Sequence, residues 1–173
     1  ETTGLSAARN KIIEIGAVKV EKGQITDRFS TFVNPELPIP FEIEKLTGIN
    51  DGMVIDAPVI GEALPRFLEF CGDAVMVAHN ASFDMSFIEH NAELLGSVYK
   101  PTIVDTVALA RILLPELKRF KLDMVAKALG VSLENHHRAV DDAEATAHIF
   151  VAFVEKLRKK HVETLDGVNE LGS

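Results

Sequence analysis

Three short stretches of this chain concentrate the side chains that bind hard cations and move protons. The first is Glu1-Thr2-Thr3-Gly4-Leu5, an acid followed by two hydroxyls and a glycine. The second is His79-Asn80-Ala81-Ser82-Phe83-Asp84, and the third is His136-His137-Arg138-Ala139-Val140-Asp141-Asp142-Ala143-Glu144. Alone, the first reads as an exposed chain start. Together, carboxylates carried by separate elements are what a two-metal phosphoryl-transfer site requires. Two Mg2+ or Mn2+ ions about 3.5–4 Å apart stabilise the attacking and leaving oxygens, and hard oxygen ligands suit both ions. A histidine beside them, with an ordinary pKa of about 6.5, takes the proton of an attacking water near neutral pH. His137 is the candidate base.

Periodicity decides which acids face inward. Ser82 and Asp84 suit the opening of a helix, where oxygens and negative charge satisfy free N–H groups. Yet Asp84 shares a helical face with Phe87, Ile88, Asn91 and Leu95, a face apolar enough to pack on a sheet. A carboxylate at the top of such a face needs a partner, and a metal ion is a good one. In the third stretch Asp141 aligns with Glu144, His148 and Glu155 and is expected to face water. Asp142 aligns with Thr146, Ile149 and Phe153, so it is expected to face the sheet as a ligand. Favourable charge at a helix start accounts for Asp141 and Glu144 but not for Asp142.

The elements that position these groups are predicted from pattern. Lys11 to Val20 and Gln24 to Val33, joined by Glu21-Lys22-Gly23, read as an antiparallel hairpin. Three prolines in Asn34 to Pro40 break regular structure. A short helix is expected over Phe41 to Leu46, a turn from Thr47 to Gly52, and a helix from about Gly61 to Phe70. Ala74 to Ala78 reads as a short buried strand and Thr102 to Val104 as another strand. Helices are expected over Ser82 to Leu95, Thr106 to Leu114, Leu122 to Leu129 and Arg138 to Lys159. An opening hairpin followed by strand-helix units predicts an α/β fold, a mixed sheet flanked by helices. Residues 1–160 form the expected domain, and 161–173 a tail or linker.

The 173 residues, 47% hydrophobic and 25% charged, suit one globular domain. No apolar run reaches the roughly 20 residues that cross a bilayer, so a soluble, cytoplasmic chain without a membrane partner is expected. The single Cys71, in an apolar run, is expected to be a buried core residue. A net charge of −8 argues against a module that holds nucleic acid mainly with Lys and Arg. It leaves room for an enzyme whose positive charge comes from bound metal ions.

In order and separation, the three stretches resemble the DEDDh exonucleases, which include the epsilon proofreading subunit of bacterial DNA polymerase III, ribonuclease T and oligoribonuclease. The match covers nearly the whole chain. The resemblance implies a ribonuclease-H-like fold and removal of nucleotides one at a time from a 3′ end. It assigns metal binding to Glu1, Asp84 and Asp142 and the general base to His137, five residues before Asp142, with His136 one position out of register. It also places Thr2, Thr3, Gly4, the segment Leu46-Thr47-Gly48-Ile49, and His79, Asn80 and Phe83 near the terminal nucleotide. Asp105 reads as a helix cap. Ile12 to Val20, His136 to Ala139 and Leu165 to Leu171 look most like the exonuclease insert of PolC-type DNA polymerase III. That implies proofreading of a single-stranded or frayed DNA 3′ end beside the rest of a replicative polymerase. A stand-alone RNA-trimming or repair exonuclease and a catalytically silent polymerase module are the competing readings. The family's first motif is Asp-x-Glu at the end of a central strand, and this sequence starts at the Glu, without that Asp or the strand that carries it. It is therefore expected to begin inside the natural domain.

Overall fold

The computed structural model describes residues 1–133 and 138–160. Its first two strands, β1 (Glu14–Glu21) and β2 (Gln24–Phe32), pair antiparallel from Glu14↔Phe32 to Glu21↔Gln24, with a register shift between Lys19 and Val20. Only Lys22 and Gly23 intervene, and both have positive φ, 53° and 79°. Such a two-residue link matches the right-handed twist of the paired strands, and glycine adopts it without steric cost.

The proline-rich stretch ends at α1 (Phe41–Thr47), which Gly48 closes in the left-handed region at φ 74°. The expected turn beyond it contains a further short helix, α2 (Asp51–Val54), because the Asn50 side chain accepts from Met53 N–H and caps a new start. Next come α3 (Ile60–Cys71), β3 (Met76–Ala78) and α4 (Ala81–Leu94). They are followed by β4 (Ile103–Asp105), α5 (Thr106–Leu113), α6 (Leu122–Leu129) and α7 (Ala139–Lys159). β3 and β4 pair in parallel, with α4 in the crossover between them.

The fold is mixed α/β, as the pattern predicts, but the strands form two separate pairs, β1-β2 and β3-β4. An open cleft lies between β1 and β3. α7 packs across β1, β2 and β3 and ties the pairs together. Its inner residues Ile149, Phe153 and Leu157 join Leu109, Ala110 and Val125 in one core beside β4. A second core gathers Ile12, Ile15, Leu64, Phe67 and Phe87, with Cys71 buried in it as expected. A third, smaller one joins Ile13, Ile39, Ile49 and Val54. Leu95, expected on the inner face of α4, is 42% exposed because the helix ends one residue earlier. Among the described residues no helix is long and apolar enough to cross a membrane.

Candidate active site

The cleft, about 920 Å3, is lined by β1, by Ala74 to His79 around β3, by the first turns of α4 and by one face of α7. It brings together Glu1, Thr2, Asp84 and Asp142 from three distant parts of the chain. Each arrives by a different route. Glu1 runs beside the start of β1, where Ile13 and Glu14 N–H donate to its carbonyl and its α-ammonium donates to the Glu14 carbonyl. Asp84 stands in the first turn of α4, whose cap residue Asn80 takes a left-handed conformation at φ 67°. Asp142 stands in the first turn of α7, on the face continued by Thr146, whose hydroxyl donates to the Asp142 carbonyl.

The two adjacent aspartates separate as helical periodicity requires. Asp142 lines the main cleft, whereas Asp141 lines a shallow hollow on the other side with Glu144, His148 and Gly130 to Leu133. Asp141 is half-buried there rather than facing open water, at the edge of a hollow shared with the segment after α6. Glu144 is engaged by both guanidinium nitrogens of Arg28, at 2.8 and 3.0 Å, which ties β2 to α7.

Asp84 reports the electrostatics of the cleft. Its side chain is open to solvent, but protein atoms crowd it on most sides. Burial pushes its carboxyl up to about 6. The carboxylates of Glu1 and Asp105 add to that rise. Asp105 is a cap, as predicted, and more than one: its side chain accepts from Val107 N–H and also from Asn80 and Ala81 N–H, fixing the starts of both α5 and α4.

Other predicted contacts lie outside the cleft or are already committed. Thr3 exchanges hydrogen bonds with Lys11, and Gly4 packs against the Asn10 side chain. Leu46 is 80% exposed at the end of α1. Thr47 Oγ1 donates to the Ile43 carbonyl and accepts from Ile49 N–H. Ile49 is fully buried in the core with Ile13. Phe83 packs on Phe87, with ring centroids 5.2 Å apart. His79 reaches the cleft wall, but both ring nitrogens are taken. Nε2 faces the Phe120 carbonyl, which requires a proton there, so Nδ1 accepts from the Thr106 hydroxyl at 2.8 Å. Burial lowers its pKa and favours this neutral form. His137 and His136 lie outside the described residues.

One acid of the cleft wall was not foreseen. Glu14 is 3% exposed and accepts from Ala139 N–H at the start of α7. The signal was a lone carboxylate in the apolar run Ile12-Ile13-Glu14-Ile15, which a strand reading alone leaves without a partner.

For a metal ion, the donor chemistry fits. The convergent groups are carboxylate oxygens, and Asp84 is an acid held above its ordinary range beside other acids, which a divalent cation would return to its ionised form. Among the described residues, however, no group of three or more His, Cys, Asp or Glu side chains stands close enough to grip an ion.

The architecture is that of the ribonuclease-H-like DEDDh exonucleases. Exonuclease X, solved in complex with 5′ overhanging duplex DNA, superposes with a TM-score of 0.80 at 27% identity over 100% of this chain and 96% of that one. The nuclease domain of 3′hExo, a DEDDh family member bound to rAMP, gives 0.74 at 20% identity, covering 85% and 82%. The exonuclease family model matches residues 1–150, and the chain belongs to that family. Its curated relatives include the PolC-type DNA polymerase III of Clostridium perfringens, 54% identical over 160 residues. That of Caldanaerobacter subterraneus is 52% identical over 171 residues. These matches take in 92% and 99% of the chain but only 11% and 12% of the two relatives.

Proposed function

We propose that this chain is a metal-dependent 3′-to-5′ exodeoxyribonuclease that proofreads DNA ends as part of a PolC-type replicative polymerase. The observation that carries this reading is that Glu1 and Asp84, near enough to influence each other's charge, border the same cleft as Asp142. The similarity to PolC-type polymerases supports the replicative setting.

Glu1, Asp84 and Asp142 would hold two Mg2+ or Mn2+ ions, which when bound supply positive charge to the phosphate and to the attacking and leaving oxygens. The remaining work belongs to the chain. The imidazole of His137 takes a proton from the water that attacks phosphorus, the bond from phosphorus to the 3′ oxygen breaks, and that oxygen takes up a proton from solvent water as it leaves. Asp105 holds the start of α4, so Asp84 is presented from a fixed first turn. α7 presents Asp142 while its far half is locked in the core. The neutral, doubly bonded His79 serves as a brace between β3 and the segment before α6.

The test is incubation with 5′-labelled single-stranded DNA and RNA oligonucleotides in Mg2+, in Mn2+ or in chelator. A ladder shortening from the 3′ end of DNA, in metal only, is expected. Internal cutting, or no shortening of DNA in either metal, would overturn the proposal, and a strong preference for RNA would favour the RNA-trimming reading.

A further inference from the structure

Glu14 is buried in a strand whose neighbours are Ile12, Ile13 and Ile15, and removing a carboxylate from water there is costly unless its oxygens are engaged. Both oxygens turn to one short stretch of chain. Oε1 accepts from Ala139 N–H at 2.9 Å, and Oε2 lies 3.6 Å from Nη1 of Arg138. The Arg138 guanidinium in turn sits over the ring of Phe32, 4.9 Å from its centroid, and Phe32 is the cross-strand partner of Glu14.

Two residues along the same face of β1, Gly16 completes the seat. A Cβ there would collide with the backbone of Ala139 and Val140, so α7 can start where it does only because position 16 has no side chain. Ala139 lies two residues after His137 and three before Asp142, almost one helical turn. Glu14 borders the same cleft as Glu1, Asp84 and Asp142 and so invites a reading as a fourth ligand. Its Oε1, however, is taken by the start of α7, and its Oε2 faces Arg138.

We propose that Glu14 is a positioning residue of the nuclease site: through Ala139 and Arg138 it fixes the first turn of α7 and aims Asp142 into the cleft. The proposal rests on the exonuclease reading above. It separates Glu14 from an ordinary buried acid, whose loss would weaken the fold without regard to the reaction.

Glu14→Gln keeps an acceptor for Ala139 but loses the charge facing Arg138, while Glu14→Ala loses both. With Mg2+ and a single-stranded DNA oligonucleotide, Glu14→Gln is expected to lower kcat about 10- to 100-fold, the usual effect of losing a group that orients a ligand. KM should stay within about twofold, because binding groups are untouched. In a His137→Ala background the same change should cost far less, since groups acting as a unit are not additive. Mn2+ affinity, measured by calorimetry, should fall in step with kcat.

Unchanged kcat and Mn2+ affinity in Glu14→Gln would overturn the proposal, and so would an equal fold-loss in both backgrounds. If neither variant folds, amide exchange in the unaltered chain decides. Slow exchange at Ala139 supports the seat, and exchange as fast as at an unheld helix start overturns it. An unaltered chain that binds Mn2+ but cuts nothing would count against the exonuclease reading, while the Mn2+ affinity of Glu14→Gln and the Ala139 exchange would still decide the role of Glu14.

Discussion

Replacing Asp84 by Asn separates the role of this acid in the reaction from its cost to the fold. Burial, with the carboxylates of Glu1 and Asp105, raises its carboxyl from an ordinary 3.8 to about 6. The folded chain therefore holds this proton more tightly than the unfolded chain does. The stabilisation linked to the proton is complete below pH 3.8 and is lost as pH rises through about 6. Taken at face value the shift corresponds to about 3 kcal/mol. Because the carboxylate is open to solvent, screening reduces this to about 1 kcal/mol. In chelator at pH 7.5, Asp84→Asn should then unfold about 2–4 °C above the unaltered chain. Near pH 3.5, where the unaltered carboxyl is protonated as well, the difference should vanish. Mn2+ should raise the melting temperature of the unaltered chain more than that of the variant, and DNA shortening should be lost in the variant. Thermal melts at four or five pH values, with and without Mn2+, make the measurement. A variant no more stable at pH 7.5 than at pH 3.5, relative to the unaltered chain, would refute the desolvated acid described here.

Four further outcomes are expected. Asp142→Ala should lower DNA shortening by at least about 10²-fold, more than the loss of an outer partner, while Asp141→Ala, on the opposite hollow, should keep most of it in the same assay. His137→Ala should slow the reaction about 10²- to 10⁴-fold at saturating substrate, the usual worth of a general base. Gly16→Ala should cost at least about 1–3 kcal/mol in urea unfolding, because its Cβ meets the backbone of α7 rather than a side chain that could move aside. Affinity for Mn2+, followed by calorimetry, should weaken as pH falls through about 6, since Asp84 must give up its proton to bind a cation.

Local rules read much of the architecture directly. The bounds of α6 and the run of α7 followed from apolar spacing, the hairpin from Glu21-Lys22-Gly23, and the opposite facings of Asp141 and Asp142 from the helical repeat. What stayed hidden depends on contacts distant in sequence. Nothing near Asp141 indicates that it shares a hollow with residues 130–133, nor does anything near His79 indicate that Phe120 and Thr106 claim both its nitrogens. The burial of Ile49 depends on Ile13, which precedes β1 and lies far from Ile49 in sequence. Glu14 was visible as an acid out of place, but its partner lies 125 positions away. α2 was missed because Asn50, which suits a turn, was used instead to start a helix.

The acids of the cleft are not held with equal firmness. Asp142 belongs to a helix whose later turns bury Ile149, Phe153 and Leu157 almost completely, so dislodging it requires opening the core. Glu1 is joined to β1 through backbone bonds to Ile13 and Glu14, without a buried side chain of its own. Local openings follow such differences in packing, with weakly buried segments released well before the core. On warming, the face of α7 that carries Asp142 should therefore be among the last parts of the cleft to open.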